Sequence, residues 1–528
     1  MKNFKMTIVG GGTAGWLCAS WFSKFMPNID ITLIESPAIP KIGVGESVTP
    51  HVSAFFNELG INDYNFMKNT GSVHKYANRF VGWGNDSDFF SFNYTTKADL
   101  LLKDIHYATA IDDFIFDDKE TRSTDTVLQL LKDNKINRFD KYFNSQYHYM
   151  MENTAPFDGN EYLLNPLYSS AHHINAEMAA EYTRDTIALP NGVKHIQALV
   201  NQVVMDGDNI KNLVLDNSQI IASDLFIDAS GFHKVLVKSW PIKEYKNMPV
   251  DRAYVCQLDY IDQKNELVNY TQSIAQDYGW LFKIGLYHRM GSGYCYNSNI
   301  ISDETARVDY CDMVNNKKAE PRLIKWNPSR LEKFGKGNTV AIGLSCGFVE
   351  PMEANSLYII VNTISKLHDV LTNFFSTGNL NFNDYNNLIS YSIDDIADFI
   401  LVHYTLSSKQ DNDFWKSMHD VGVKENHIDL VYSKYVDPRH AMASSINGVS
   451  MFPDYMWAQL AHSWGVDISK WRTDSSALQL DLTQLHVTHL ENKHKLISKT
   501  RMNNYDWHKQ YRFDNMNPSE WQQKYIKG

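Results

Sequence analysis

The sequence has few cysteines, and their spacing excludes two kinds of structural site. Among 528 residues there are only five, widely separated and without a C-x-x-C pair: Cys18, Cys256, Cys295, Cys311 and Cys346. Disulfide frameworks and zinc sites built from thiolates need paired, closely spaced cysteines. We therefore expect reduced, mostly buried thiols, no disulfide framework and no metal site.

Long apolar runs and an excess of positive charge are missing as well. No run approaches the ~18 apolar residues that a membrane span requires. The N-terminus passes directly into a strand-like segment without the apolar core of a signal peptide. The formal net charge is -11, so no basic excess is available to neutralise the phosphates of a nucleic acid. These absences predict a cytoplasmic protein with neither a membrane nor a nucleic acid as partner.

Apolar residues are abundant, and the first 35 residues arrange them as a β-α-β unit. Hydrophobic residues make up 43% of the chain and aromatic residues 13%, which is enough for a large core in two or three lobes. The segments KMTIV and IDITLIE read as strands, and WLCASWFSKFM between them reads as a helix. A parallel sheet is therefore expected.

The turn between the first strand and the helix carries a dinucleotide-binding pattern. Gly10, Gly12 and Gly15 form G-x-G-x-x-G. Gly10 allows the tight turn, Gly12 lets the backbone approach a pyrophosphate, and Gly15 lets the helix pack closely on the sheet. The free N–H groups at the helix start then face the phosphates. Glu35 ends the second strand, where a carboxylate accepts hydrogen bonds from a ribose hydroxyl.

The chain contains only this one fingerprint, which favours FAD over NAD as the bound dinucleotide. The second glycine pair, in Gly291-Ser292-Gly293, precedes the strand-like YCYNSN rather than a helix, so we predict a turn there. An enzyme with a single dinucleotide site and long insertions is better interpreted as binding FAD alone. Reduced flavin must then come from a separate flavin reductase.

Two later apolar runs, LFIDASG and TVAIGLS, read as buried parallel strands that deliver loops at their carboxyl ends. We predict an α/β fold with a discontinuous, Rossmann-like FAD-binding lobe of residues 1–100, 165–235 and 320–375. A mixed substrate-binding lobe of residues 101–164, 236–319 and 376–528 is inserted into it. Helix-like periodicity in residues 475–501 places a helical region near the C-terminus.

Several segments together resemble the flavin-dependent halogenases of the tryptophan-halogenase type. They are GGGTAGW, ESPAIPKIGVGESVTP, HKYANRFVGW, LFIDASG, AIGLSCGFVEPMEANSLY and HYTLSSKQDNDFW, and they extend from the first residues to Trp415. The resemblance implies a fold of the FAD monooxygenase and glutathione reductase type. It also implies the cofactor-binding residues, which are Gly10, Gly12, Thr13, Ala14, Gly15, Glu35, Gly45, Asp228, Gly343 and Leu344.

The resemblance implies a mechanism as well. Reduced FAD reacts with oxygen to give a flavin hydroperoxide, halide attacks its distal oxygen, and hypohalous acid passes through a tunnel to a lysine. By position that lysine is Lys75 and its partner is Glu353. Asn355 and Ser356 begin a helix whose backbone N–H groups are expected to bind the halide. A lysine screened from water can hydrogen-bond hypohalous acid or form a haloamine, and both alternatives stay open. Glu353 can stabilise the cationic ring intermediate and remove its proton.

Two positions depart from the family pattern. Ala354 stands where the family usually has serine. The Trp-x-Trp-x-Ile-Pro motif reads Trp280-Leu281-Phe282-Lys283-Ile284-Gly285. The second departure leaves an FAD-dependent monooxygenase, a hydroxylase, as an alternative, although no aspartate follows Gly343 as it does in such hydroxylases. A non-catalytic FAD-binding protein is a third reading, against which the retention of Lys75 and Glu353 argues.

The substrate is expected to be a small electron-rich aromatic compound other than free tryptophan. The family's aromatic C-terminal segment for tryptophan has no clear match in SSINGVSMFPDYMWAQLAHSWG. Phe90, Phe92, Trp280 and Phe282 are the candidates for the substrate pocket, since aromatic side chains can sandwich a ring. Chloride, bromide and iodide all remain open as the halide. We also expect a homo-oligomer.

Overall fold

The computed structural model describes residues 4–38, 43, 45–84, 89–92, 123–143, 146–155, 171–441, 450–473 and 502–513. Within them the strands are β1 (Phe4–Val9), β2 (Ile29–Glu35), β3 (Glu46–Ser47), β4 (Val73–Lys75), β5 (Ala77–Val81), β6 (Phe89–Phe92), β7 (Ala171–Ile174), β8 (Lys194–Gln197), β9 (Val200–Asp206), β10 (Asn209–Leu215), β11 (Ile220–Ile221), β12 (Leu225–Asp228), β13 (Ile242–Glu244), β14 (Arg252–Leu258), β15 (Tyr270–Gln276), β16 (Gly279–Leu286), β17 (Arg289–Tyr296), β18 (Arg322–Lys325), β19 (Ser329–Leu331), β20 (Gly335–Lys336), β21 (Thr339–Ala341) and β22 (Gly347–Phe348).

The α-helices of the same residues are α1 (Thr13–Phe25), α2 (Pro50–Glu58), α3 (Asp63–Thr70), α4 (Ser123–Lys132), α5 (Phe139–Phe143), α6 (Gln146–Met151), α7 (Ala176–Thr183), α8 (Gln263–Glu266), α9 (Asp303–Met313), α10 (Asn355–Thr377), α11 (Asn383–Thr405), α12 (Asp413–Lys424), α13 (His427–Val436), α14 (Pro438–Ala441), α15 (Asp454–Ser463) and α16 (Asn504–His508). In the part of the chain that the structure describes, no helix combines the length and the apolar character needed to cross a membrane.

The predicted β-α-β unit forms the centre of a six-stranded sheet. Its strand order is β20-β21-β12-β1-β2-β8, and all neighbours except β20 and β21 are parallel. The strands predicted from KMTIV, IDITLIE, LFIDASG and TVAIGLS are all confirmed. β1 and β12 pair so that Val9 lies opposite Asp228. The loops after these two strands therefore meet at one edge of the sheet, where α/β folds bind ligands.

A second sheet of seven strands has the order β18-β14-β17-β16-β15-β5-β6. Its pairs are antiparallel except for β5 with β15. The turn predicted at Gly291-Ser292-Gly293 is wrong, because these residues lie inside β17. A Cβ on Gly293 would lie 2.4 Å from Cζ of Phe282 on the neighbouring strand, so the glycine makes room for that ring.

A small antiparallel sheet, β3-β7-β4, includes the strand that ends at Lys75. β5 follows directly and pairs with the seven-stranded sheet, so Lys75 lies where the two sheets meet. The division of the chain into two lobes stays a prediction. The helical region predicted for residues 475–501 lies outside the described residues. Beyond it, α16 packs on α8, and the following π-helical turn (Lys509–Phe513) packs on α3.

Candidate active site

The glycine-rich turn after β1 has a shape that a larger residue cannot adopt without strain. Gly10 has a φ of +121°, and a Cβ there would lie 2.3 Å from the carbonyl oxygen of Ala229. A Cβ on Gly15 would lie 1.9 Å from the carbonyl oxygen of Gly10, so α1 approaches the turn closely. At Gly12 no atom lies within 4 Å of the Cβ position. The backbone of the turn is therefore open to a ligand on one side.

A cleft of about 270 Å³ opens beside this turn, and we refer to it as the outer cleft. Six of the predicted cofactor-binding residues line it: Gly10, Gly12, Thr13, Ala14, Glu35 and Leu344. Oε2 of Glu35 lies 3.0 Å from Nε2 of His195. Gly343 has a φ of +61°. A Cβ added to it would lie 3.0 Å from Cβ of Ala14, a residue that lines the outer cleft.

Asp228 was predicted to contact the cofactor, but its carboxylate holds two loops together instead. Oδ1 accepts hydrogen bonds from the Ser230 hydroxyl (2.6 Å) and the Ser345 hydroxyl (2.9 Å). Oδ2 accepts from the backbone N–H groups of Leu236 (2.7 Å) and Val237 (3.1 Å). The side chain is fully buried and is not among the described residues that line the cleft. Asp228 thus shapes the wall of the outer cleft from behind.

A second cavity of about 190 Å³ adjoins the outer cleft, and we refer to it as the inner cavity. Four residues line both spaces: Glu46, Phe232, Leu344 and Ser356. Gly45, predicted to contact the cofactor, lines the inner cavity among the described residues. Because the two spaces share a wall, a small molecule formed in the outer cleft would have a short path to the inner cavity.

Lys75 is fully buried at the end of β4. Its Nζ donates a hydrogen bond to the carbonyl oxygen of Val48 over 3.2 Å. Burial lowers the pKa of Lys75 to about 7, while the negative charge of Glu353 acts in the opposite direction. Both the amine and the ammonium form are therefore populated near neutral pH.

Glu353 lies in the turn before α10 and lines the inner cavity. Glu353 and Ala354 both have a φ of 60°, a region that costs a non-glycine residue about 1–3 kcal/mol. Nδ2 of Asn78 donates a hydrogen bond to Oε2 of Glu353. Nε2 of His403 lies 3.3 Å from Oε1. Asn78 therefore holds one carboxylate oxygen in position, and His403 lies beside the other.

Asn355 and Ser356, the residues predicted to bind halide, begin α10. The amide nitrogen of the Asn355 side chain donates to the carbonyl oxygens of Glu350 (2.8 Å) and Met352 (2.7 Å), which closes the turn. Ser356 lines both the outer cleft and the inner cavity. The start of the helix, with its unpaired backbone N–H groups, thus faces the boundary between the two spaces.

Two of the four aromatic residues predicted for the substrate pocket line the inner cavity. Trp280 and Phe282 lie on the same face of β16, with ring centroids 5.9 Å apart. Phe90 and Phe92 belong to β6, whose backbone pairs with β5. Their side chains lie outside the described part of the structure.

Sequence reasoning missed three polar residues of this site, Asn78, His173 and His403. His173 is fully buried on β7, 2.9 Å from the Thr271 hydroxyl and 3.0 Å from the carbonyl oxygen of Gly285. Burial, together with the charge of Lys75, lowers the pKa of His173 to about 3. An isolated histidine or asparagine in a strand carries no sequence signal of its function. His403 is the first residue of HYTLSSKQDNDFW, one of the segments that resemble the halogenases, and that resemblance could have indicated a functional role for it.

Glu46 is a further residue that was missed, although it lies in the segment IGVGES. It lines both the outer cleft and the inner cavity, and burial raises its pKa to about 7. A carboxyl group at this boundary can exchange a proton near neutral pH.

The described residues fit the FAD that the fingerprint predicts. A pyrophosphate needs close approach to a backbone without side chains, and the position of Gly12 meets this requirement. The first turn of α1 contains no acidic residue that would repel phosphate. Glu35 faces the cleft at the end of β2, where a ribose hydroxyl can donate to it.

The profile of the tryptophan halogenase family matches residues 5–472 of the chain. Tryptophan 7-halogenase RebH of Lentzea aerocolonigenes is 29% identical over 445 residues, which are 79% of this chain and 79% of RebH. Tryptophan 6-halogenase SttH of Streptomyces toxytricini is 29% identical over 440 residues, which are 78% of this chain and 80% of SttH.

Solved structures show the same fold. The crystal structure of SttH matches with a TM-score of 0.80 and 26% identity, over 96% of this chain and 99% of that one. A tryptophan halogenase from Shewanella frigidimarina matches with a TM-score of 0.81 over 97% of this chain and 98% of that one. Because the second pair is only 23% identical, that likeness concerns the fold alone.

Proposed function

The chain belongs to the tryptophan halogenase family, and we propose that Lys75 and Glu353 carry out its halogen transfer to an electron-rich aromatic substrate. Membership of the family confirms the predicted flavin-dependent halogenation with FAD and halide. The observation that carries the residue assignment is that Glu353 lines an inner cavity sharing a wall with the outer cleft, while the fully buried Lys75 lies close enough to feel the charge of Glu353.

The outer cleft would hold FAD. Gly10, Gly12 and Thr13 offer backbone groups to the pyrophosphate, and Glu35 accepts a hydrogen bond from the ribose. When bound in its reduced form, FAD supplies, with oxygen and halide, an electrophilic halogen in the form of hypohalous acid. The six-stranded sheet forms the core of the FAD-binding lobe, and strands β14 to β17 of the seven-stranded sheet belong to the substrate-binding lobe. Reduced FAD comes from a separate flavin reductase, because the described residues contain one glycine fingerprint.

Ser356 and the start of α10 hold the halide at the boundary between the two spaces. The N-terminus of a helix favours an anion through its free N–H groups and its dipole. Leu344 and Phe232 line the same boundary and exclude water from it. Hypohalous acid formed there enters the inner cavity rather than bulk solvent.

Lys75 then receives the halogen. As an ammonium it hydrogen-bonds the oxygen of hypohalous acid and transfers its proton to that oxygen as the aromatic ring attacks the halogen, so that the oxygen leaves as water and Lys75 becomes a neutral amine. As a neutral amine it attacks the halogen itself, giving a haloamine and water. A pKa of about 7 keeps the amine form accessible, which favours the second route above pH 7.

Glu353 acts on the substrate ring. Attack on the halogen leaves a cationic ring, which a nearby carboxylate stabilises. The carboxylate then accepts the proton that the ring loses as aromaticity returns. Asn78 keeps Oε2 oriented throughout, and His403 lies beside Oε1.

The substrate is an aromatic compound other than free tryptophan. The family profile ends at residue 472, so the last 56 residues of the chain, 473–528, lie beyond the match to the profile. Gly285 replaces the proline of the family's tryptophan-containing motif, and Phe282 replaces its second tryptophan. Phe282 lines the inner cavity, so the second change alters the wall of that cavity.

The test is an assay with FAD, a flavin reductase, NADH, oxygen and a panel of phenols, indoles and tryptophan, each with chloride, bromide or iodide. We expect a product whose mass is increased by one halogen minus one hydrogen, formed more rapidly from a compound other than tryptophan. Catalase excludes halogenation by peroxide that leaks from free flavin. A hydroxylated product formed without halide would instead establish the monooxygenase.

A further inference from the structure

The small sheet that carries Lys75 presents two histidines on its opposite face. Side chains alternate along a strand, so His74 points away from the side on which Lys75 lies. On the neighbouring strand, His172 is paired directly with His74. Their rings lie 5.2 Å apart at an interplanar angle of 34°, and both side chains are buried.

A carboxylate from the start of α3 completes a group of three. One ligand atom each of Asp63, His74 and His172 lies within 4.8 Å of the others. Nε2 of His172 is 3.0 Å from Oδ1 of Asp63, yet the two are not aligned for a hydrogen bond. The other ring nitrogen of His172 lies 3.1 Å from the hydroxyl of Ser53, a contact that orients the ring. Metal-bound histidines are typically oriented by such a contact through their second nitrogen.

A third histidine comes from the C-terminal segment. His508 is fully buried, and its ring lies 5.5 Å from that of His74. Among the described residues, neither ring nitrogen of His508 has a hydrogen-bond partner. A buried polar atom without a partner destabilises the folded chain. Asp63, His74 and His172 thus lie within ligand distance of one another, and His508, whose ring nitrogens have no hydrogen-bond partner among the described residues, packs close to His74.

We propose that Asp63, His74, His172 and His508 bind a divalent transition-metal ion, and that the ion is zinc. Zinc prefers four ligands in a tetrahedral arrangement, and imidazole with one carboxylate is a suitable set. Calcium and magnesium prefer oxygen ligands, which are a minority here. Asp63 keeps part of its side chain exposed, which gives the ion a path from solvent.

The Arg512 guanidinium offers the competing account of the cluster. It lies over the rings of Trp507 (4.4 Å) and Tyr64 (5.2 Å), and Tyr64 directly follows Asp63 in the chain. The positive charge of Arg512 lowers the pKa of Asp63. In that account Arg512 compensates the charge of Asp63 and no metal is bound. Metal analysis separates the two accounts directly.

A bound ion would connect two distant parts of the chain. His508 belongs to α16, whereas His74 precedes Lys75 on β4. The ion would therefore fix residues 502–513 against the strand that carries Lys75. This role is structural and independent of the halogenation chemistry.

The test begins with the zinc content of the full chain, purified and dialysed against metal-free buffer. We expect about one zinc per chain in the wild type, and less than about a tenth of that in His172→Ala and His508→Ala. His427→Ala is the matched control, since His427 is also buried but contacts Thr405 and Glu425 instead. It should retain the zinc of the wild type.

Asp63→Asn provides a second variant in case an alanine variant does not fold. Chelation should lower the melting temperature of the wild type and of His427→Ala, and added zinc should restore it. The melting temperature of Asp63→Asn should respond to neither. Cobalt added to the chelated wild type should give the visible absorption of a tetrahedral site. A wild type that retains no zinc and takes up no cobalt, or cluster variants with the zinc content of His427→Ala, would overturn the proposal.

Discussion

At Lys75, burial gives a lysine that titrates in the physiological range, with a pKa of about 7 against an ordinary value of 10.5. Between pH 6 and pH 8 the neutral fraction of such a group rises from about a tenth to about nine tenths. We predict that the single-turnover rate of halogen transfer rises through pH 7 and levels off above pH 8. Rapid-quench measurements with preformed hypohalous acid would isolate this step from flavin chemistry.

The direction of that pH dependence identifies the form of Lys75 that acts. A rise means that the neutral amine attacks the halogen. A fall above pH 7 would assign the transfer to the ammonium as a hydrogen-bond donor. A rate constant that does not change between pH 6 and pH 8 would contradict titration of Lys75 in this range.

The position of Glu353 depends on Asn78, which donates to its Oε2. Small displacements of a catalytic group can cost about 100-fold in rate. We predict that Asn78→Ala lowers kcat for halogenation by about 10- to 100-fold and leaves FAD affinity unchanged. Steady-state kinetics with flavin titration would measure both. Asn69→Ala, in an exposed asparagine of α3, should change neither.

At the scale of elements, the turn between β1 and α1 determines whether the outer cleft exists. Gly10→Ala combines a strained φ of +121° with a clash against Ala229. We predict a loss of more than about 2 kcal/mol in the free energy of unfolding and at least a 100-fold loss of FAD affinity. Urea unfolding and fluorescence titration would measure the two effects.

The matched control for this prediction is Gly207→Ala. Gly207 has a φ of +60° and no atom within 4 Å of its Cβ position, so the substitution adds strain without a clash. Its FAD affinity should equal that of the wild type. Equal losses in the two variants would show that the close approach at Gly10 has no special role.

The turn before α10 contains a second buried carboxyl group, Glu350. Burial raises its pKa to about 8, although the hydroxyl of Tyr404 hydrogen-bonds to both oxygens and acts in the opposite direction. Between pH 4.5 and pH 8 the folded protein therefore holds a proton that the unfolded chain has released. This contribution to stability is fully present below pH 4.5 and is lost as the pH rises through 8.

We predict that Glu350→Gln removes this dependence. From pH 5 to pH 9 the free energy of unfolding of the wild type should fall relative to the variant by on the order of 4 kcal/mol. Urea unfolding at several pH values would show it. Glu332→Gln, in an exposed glutamate, should follow the wild type at every pH. Parallel curves for the wild type and Glu350→Gln would contradict the assignment.

The elements that could be predicted from sequence are those with local signals. β1, α1 and β2 follow from strand and helix periodicity around three glycines. The turn at residues 291–293 was predicted wrongly, because glycine also serves to admit the ring of Phe282 from the neighbouring strand. Asp228 ends a strand of the expected kind, but only the folded loops show that its carboxylate is already hydrogen-bonded.

The residues around Glu353 could not be predicted from spacing. Asn78 and Glu353 are 275 positions apart, and no local pattern specifies their contact. The positive φ of Glu353 and Ala354 has no sequence signal either, since neither is a residue typical of that region. Their placement follows from the packing of α10 and α11, which is a property of the whole fold.

At the scale of the whole molecule, the proposed reaction uses two adjoining spaces. The six-stranded sheet presents the outer cleft, and the small sheet places Lys75 beside the seven-stranded one. Glu46, Leu344 and Ser356 lie on the boundary. The central claim is that halogen oxidised in the outer cleft is transferred to the substrate only through Lys75.

That claim is tested most directly by counting oxidised halogen and halogenated product in the same single turnover, for the wild type and Lys75→Met. Methionine fills the buried space without a nitrogen, and Lys211→Met in an exposed strand position is the control. We predict that Lys75→Met still binds FAD but forms no halogenated product. The hypohalous acid that it releases, captured by a diketone trap, should equal the amount that the wild type converts into product. Halogenated product in Lys75→Met at the level of the wild type and Lys211→Met would contradict the claim.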